Sequence, residues 1–275
     1  MSSSRSNPGI PGPEPGASLD QAVPAPPQLL WLRPERRARP SRPVRSRSEI
    51  ARAAISLADS EGFEAVTMRR VATLLGMATM SLYSHVASKD ELIELASDEL
   101  MAEIVLDEMP GHWREALTAI ARRSREFFLR HPWVLSYTGE SWPAGGPNLM
   151  RHIEQTLLAV STLRLDRALR WDVAQAVDAY ALGAAMDQVH DERELADADA
   201  DAEAAADGAG GLSAERNSLF EAMLASGDYP TLAAEVARGG RELWRGRDTE
   251  ARFERGLGWL LDGIAEAEAE AERGD

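Results

Sequence analysis

Residues 66–95 read VTMRRVATLLGMATMSLYSHVASKDELIEL, and this stretch decides the fold. Thr67 can cap a helix whose apolar positions Met68, Val71, Leu74 and Leu75 fall at helical spacing. Gly76 sits just past them, where a residue with positive φ is wanted to end the helix. Ala78 or Thr79 then opens a second short helix with Leu82 and Val86 facing inward. Ser88, with Glu91 three residues on, reads as a capping box for a further helix from Lys89. Upstream, Ser46 and Glu49 repeat that signal, and Ile50, Ala54, Leu57 and Ala58 give one apolar stripe ending at Gly62. Helices joined by a Gly-containing turn in this order have the layout of a helix-turn-helix. An ordinary helical corner matches the helix count equally well.

Charge separates the two. The chain carries 30 basic and 45 acidic residues, a net of −15. Residues 33–89 nevertheless hold 11 Lys/Arg against 5 Asp/Glu, a net of +6, and residues 90–275 carry −20. A basic N-terminal module on an acidic body is the asymmetry expected when one end meets phosphates. The second helix of the pair, opening with hydroxyl and small side chains, then suits the DNA major groove.

On these residues the chain resembles the TetR family of transcriptional repressors. Residues 47–100 resemble its DNA-binding domain, and the LYSHV-x-SKDEL run from Leu82 to Leu92 is the most diagnostic piece. HWREAL (112–117), RHPW (130–133), GPN (146–148) and FERGLGWLLDGI (253–264) resemble the C-terminal domain of one subgroup, similar to that of the tetracycline repressor. The resemblance implies an all-α fold, with an N-terminal three-helix helix-turn-helix domain followed by a helical ligand-binding and dimerisation domain.

Site residues follow from matching positions. Tyr83 and His85 match backbone contacts of the family, since a phenol or imidazole can donate to a phosphate oxygen. Lys89 opens the next helix, where its ammonium and the terminal amides would jointly hold a phosphate. Thr67 matches a hydroxyl that both caps and donates. Arg69 is the candidate for a bidentate grip on guanine. Thr79, Met80 and Ser81 head the recognition helix, with Met80 placed to meet a thymine methyl, and Arg47 and Ser84 complete the set. For each the plainer roles of capping, packing or facing water stay open.

Residues 1–45 carry Pro and Gly at high density, including PGIPGPEP and PAPPQ, and are expected to form a disordered extension. Leu29-Leu30-Trp31-Leu32 is too short for a membrane span or a signal-peptide core. Residues 33–47 hold seven Arg and one Glu broken by three prolines. That arm either follows DNA or is a solvated tail; docking of LLWLRPE on the folded domain through Trp31 is a third reading.

The helix-turn-helix domain is expected over residues 46–92 and the effector-binding and dimerisation domain over 93–275. Helices are expected at His112–Arg130, from Pro147 to about Thr162, Arg167–His190, Ala214–Ser226, Pro230–Arg238 and about Asp248–Glu272. The acid–alanine tract 191–211, DERELADADADAEAAADGAGG, is expected to be a mobile loop. By the family's pattern, helices such as 167–190 and 248–266 form a homodimer's four-helix bundle, and two-fold symmetry suits a palindromic operator of double-stranded DNA.

Seven tryptophans beside five phenylalanines are unusual, and Trp113, Trp133 and Trp142 fall where the family places its effector. Tyr137, His152, Gln155 and Gln188, with His112 and His131, are candidates for the few polar contacts of such a pocket. Core packing is the competing role for each. No cofactor and no metal site is expected, because no pair of histidines or carboxylates has ligand spacing in this region. Cysteine is absent, which excludes thiol nucleophiles and disulfides and agrees with a cytoplasmic location. No Gly-rich phosphate loop, G-x-S-x-G or H-E-x-x-H occurs, so an enzyme is not expected. The expectation is a small-molecule-responsive DNA-binding regulator, most simply a repressor. The alternative is a co-regulator of the same fold that binds a protein.

Overall fold

The structure, a computed structural model, describes residues 30–34, 45–137, 145–206, 212–239 and 248–274. Trp142 and most of the N-terminal extension lie outside the described residues, as does the side chain of Tyr137. Leu30–Leu32 form a single 3-10 turn in the unit Met1–Pro34. Everything that follows belongs to the unit Glu35–Asp275.

The first four helices build the N-terminal module, the expected reader. Helix α1 (Arg47–Glu61) is started by Ser46, which accepts from the Glu49 amide while the Glu49 carboxylate accepts from the Ser46 amide. That reciprocal box satisfies two of the donors a helix start leaves orphaned. Gly62, at φ 85°, ends α1, and a 3-10 turn at Phe63–Ala65 leads to α2 (Met68–Leu74). Thr67 caps α2 by accepting from the Arg70 amide. Gly76 takes φ 66° in the turn to α3 (Thr79–Tyr83), with Ala78 as its N-cap. Ser88 caps α4 (Lys89–Met101) through the Glu91 amide. The Glu91 carboxylate reaches past Ser88 to the Ala87 amide, so the expected box closes one residue earlier than its usual form. Ile50, Val71, Leu82, Val86 and Leu92 are fully buried among these helices. Leu74 departs from expectation: it is 57 % exposed, because a seven-residue helix has only one inward face, and Met68, Val71 and Ala72 occupy it.

The expected boundary at residue 92 cuts through α4, which runs unbroken to Met101 and packs along α1. Its far end meets the body. Buried Asp98 accepts from the Asn148 and Leu149 amides and from the Asn148 side chain, anchoring the start of a later helix. Burial pushes the Asp98 carboxyl above the usual carboxylate range, against the pull of those amides.

The body consists of α5 (Trp113–Arg130), α6 (Trp133–Tyr137), α7 (Pro147–Ser161), α8 (Arg167–Ala206), α9 (Leu212–Ala225), α10 (Pro230–Gly239) and α11 (Thr249–Gly274). The short α6 was not expected; Pro132 ends α5 but, with its fixed φ, suits a new helix start. Leu117 and Ile120 of α5, Val160 of α7, Val177 and Ala181 of α8, and Phe253, Leu257 and Leu261 of α11 form one buried core. Gly256 lets α11 approach α8, because a Cβ there would strike the Tyr180 ring, whose hydroxyl donates to the Phe253 carbonyl. Arg122 seals the outer edge with two hydrogen bonds to Glu254, at 2.6 and 2.8 Å, which hold the Glu254 carboxyl below its ordinary range.

One expectation is overturned here. The acid–alanine tract is not a loop as far as Ala206: α8 continues through it for a length of 40 residues. Burial is not needed to make a helix when every second residue is alanine, the strongest helix former, and the preceding turns have already met the nucleation cost. Residues 192–197 are exposed, so this half of α8 is a solvated helix. The remainder of the tract, 207–211, lies outside the described residues. Among the described residues no helix is long and apolar enough to cross a membrane.

Candidate nucleic-acid interface

The candidate reading head is α3, positioned from beneath by Leu82, which is fully buried, while Met80 and Tyr83 look outward. Met80 is 78 % exposed and Tyr83 44 % exposed. A large apolar side chain left in water at the tip of a short helix contributes nothing to the core, and its thioether is free to meet an apolar group such as a thymine methyl. Thr79 and Ser81 are half-buried beside it. The Ser84 hydroxyl donates to the Ser81 carbonyl at 2.6 Å, which closes the end of α3. His85 is half-buried just beyond it.

Around that head stand the cations. Arg69 is exposed on α2, whereas its neighbour Arg70 is committed to an ion pair with Glu61, which raises the guanidinium pKa and lowers that of the carboxyl. The fold therefore separates two adjacent arginines, leaving Arg69 as the one aimed outward. Thr67 is exposed and its oxygen is used by the cap. Lys89 is exposed at the N-terminus of α4, with its ammonium 5.5 Å from the centroid of the Phe63 ring. Arg47 is half-buried in the first turn of α1.

Sequence reasoning missed Arg45. Its guanidinium pairs with Glu49 at 2.8 Å and donates to the Leu75 carbonyl at 3.3 Å, so it joins the start of α1 to the turn before α3. The available signal was its four-residue spacing from Glu49, the favourable distance for a helical ion pair.

The described residues among those considered for an effector pocket are placed as follows. Trp113 is buried in the body's core. Trp133 donates from its indole nitrogen to Asp59 at 2.7 Å and stacks on Phe63, which places it at the joint with the reader. The Gln155 amide clamps the Leu106 backbone, accepting at 2.9 Å and donating at 2.7 Å. Gln188 accepts from buried Arg125 and donates to Glu192. His152, on α7, faces Asp178 of α8 at 4.0 Å, and its Nδ1 is buried with no hydrogen-bond partner. Burial drives the His152 pKa down and the Asp178 pKa up, so both groups are pushed toward their neutral forms. His112 caps α5, and His131 is held between two carboxylates. Among the described residues, no cluster of three or more His, Asp and Glu is arranged to hold a metal ion.

Comparison with known proteins identifies this architecture. Residues 50–96 match the family described as bacterial regulatory proteins, tetR family, and residues 107–267 match the tetracyclin repressor-like C-terminal domain. The HTH-type transcriptional repressor DrrR1 of Streptomyces coeruleorubidus is 34% identical over 214 residues, covering 75% of this chain and 74% of its own. An HTH-type transcriptional regulator of Saccharopolyspora erythraea is 30% identical over 241 residues, 87% of this chain and 92% of its own. The TetR family protein ActR of Streptomyces coelicolor, solved in complex with (S)-DNPA, superposes with a TM-score of 0.58 at 25% identity, over 82% of this chain and 99% of that one. The exposed α3 head, the cap-defined helices beneath it and the helical body behind it are those of a TetR-family transcriptional regulator, and the chain belongs to that family.

Proposed function

We propose that the chain is a homodimeric repressor that holds a palindromic DNA operator through α3 and its flanking cations and releases it on binding a small molecule. The observation that carries the reading is the outward head of α3, with Met80 in water and Arg69 and Lys89 standing exposed on either side in sequence. In this arrangement Tyr83 and Lys89 meet phosphates, Arg69 and Met80 meet base edges, and Thr67, Thr79 and Ser81 supply shorter hydroxyl contacts. Arg47, Ser84 and His85 flank them on the backbone side.

Dimerisation is supported by what α8 and α11 leave outside. Their inner faces fill the core, while Leu169, Trp171 and Met186 of α8 and Trp259 of α11 are about half exposed or more, Trp259 at 73 %. Apolar side chains outside the core on the two helices that already form its wall are the composition of a subunit interface. Two-fold pairing presents two α3 heads to two half-sites. A small-molecule effector is supported by the (S)-DNPA complex of ActR. Effector binding shifts the balance between two dimer states only by its differential affinity for them.

The test is to select duplexes from a random pool with the full chain and then measure binding and mass together. Trp259→Glu is expected to sediment as a monomer and to lose at least about tenfold in operator affinity. A dimeric Trp259→Glu would overturn the α8/α11 interface, and failure to enrich any duplex would overturn the operator reading.

A further inference from the structure

The Lys89 side chain is propped by an aromatic ring, and that ring touches the body. The ammonium stands 5.5 Å from the Phe63 centroid. Phe63 lies on the 3-10 turn after α1 and is stacked on Trp133 of α6, with centroids 5.7 Å apart and planes 14° from parallel. Trp133 is in turn pinned by its N–H donated to Asp59, at the end of α1. The same Asp59 oxygen faces His131 Nδ1 at 2.7 Å, and His131 Nε2 faces Glu103 at 3.2 Å, beyond the end of α4. His131 is 3 % exposed, and Arg130 beside it also pairs with Glu103. Three residues at the junction of α5 and α6 thus grip α1, the turn after it and the far end of α4.

We infer that Phe63 and Trp133 are positioning residues for Lys89, so that the body's placement of α6 sets how well this ammonium meets DNA. The inference rests on the reading of Lys89 as a phosphate contact. A lysine has a flexible four-carbon stem, and a free one must be ordered each time it meets a phosphate. The electron-rich face of Phe63 attracts the ammonium and restricts it before DNA arrives. Phe63 keeps its own place because it is stacked on an indole that the Asp59–His131–Glu103 chain fixes. A movement of α6 that slid Trp133 away would take one support from Phe63 and loosen its hold on the ammonium. The contact therefore transmits the position of the body to the phosphate grip without any new bond to DNA.

The experiment measures affinity against salt for a labelled duplex that the wild-type full chain has selected from a random pool. Lys89→Ala is expected to flatten the salt slope by about one. Phe63→Leu, which keeps bulk but removes the ring, is expected to weaken binding about two- to fivefold and to flatten the slope in the same direction. Phe63→Tyr retains the ring and is expected to bind as wild type. The double variant Phe63→Leu/Lys89→Ala is expected to be no weaker than Lys89→Ala alone. Trp133→Phe, which keeps a stack but loses the Asp59 anchor, is expected to fall between wild type and Phe63→Leu. If Lys89→Ala flattens the slope while Phe63→Leu leaves affinity and slope unchanged, or if the two losses simply add, the positioning role is overturned and the phosphate contact survives. If Lys89→Ala leaves the slope untouched, the phosphate reading fails and this inference with it.

Discussion

The outer side of the helix-turn-helix and the interior of the body use their polar side chains differently. On α1 to α4, Ser46, Thr67 and Ser88 cap their own helices and Arg69 and Lys89 face outward, while Asp59 and Asp98 turn back to the body. In the body they reach across the fold: Gln155 to the Leu106 backbone, Gln188 to Arg125, Arg122 to Glu254. A surface that must meet a charged polymer leaves its donors outside. A bundle that must hold long helices together spends its donors on itself. Consequently an outward polar residue of α1 to α4 is a candidate contact, while one that reaches across the fold serves the packing first.

The sharpest way to break this contrast is in the body's core. Leu257→Ala, at a side chain 1 % exposed on α11, is expected to cost about 2–5 kcal/mol in chemical denaturation. A loss below about 1 kcal/mol would mean that the inner face of α11 is not where the body's stability resides. On the reader the expected effects are smaller and fall on binding. Arg69→Ala is expected to leave the melting temperature unchanged and to cost about 1–3 kcal/mol on the selected operator, with less on random DNA. Equal losses on both duplexes would reassign Arg69 to the backbone.

The smallest effect concerns His152. Burial holds its pKa below the ordinary value of 6.5, so the unfolded chain takes up this proton at a higher pH than the folded one. Stability from keeping the ring neutral is therefore intact above about pH 6.5 and is lost as the pH falls through it. Asp178 has the opposite sign, since its raised pKa favours the folded state on further acidification. His152→Gln is expected to reduce the drop in melting temperature between about pH 7.5 and pH 5.5 by no more than about 3 °C. An unchanged pH profile would show that the buried imidazole is solvated in the native protein.

The legibility of the two regions differs for the same reason as their chemistry. Ser46, Thr67, Gly76 and Ser88 were readable because a cap or a positive φ acts within four residues, inside the span that a local pattern describes. The helices of the body are readable from their apolar stripes, and Asp166 and Asp248 cap α8 and α11. The acid–alanine tract misleads because nothing in it can be buried, which suggests a loop, whereas alanine makes helix without burial. Trp133 misled for another reason: in sequence it stands in the effector region, and nothing local shows that its indole turns back to Asp59, 74 positions earlier.

From the sequence alone came the helices of the helix-turn-helix and its basic charge, since each depends on spacing, caps and charge over short distances, and the resemblance of its motifs added the family. The tertiary structure alone decided which of two adjacent arginines is free, since Glu61 captures Arg70 and leaves Arg69 exposed. It alone decided that Trp113 is core and that Trp133, stacked on Phe63, belongs to the joint beneath Lys89. The physical reason is the same throughout: a cap or a stripe is satisfied by neighbours along the chain, whereas a free charge or a stacked ring is defined by what packing brings against it from far away.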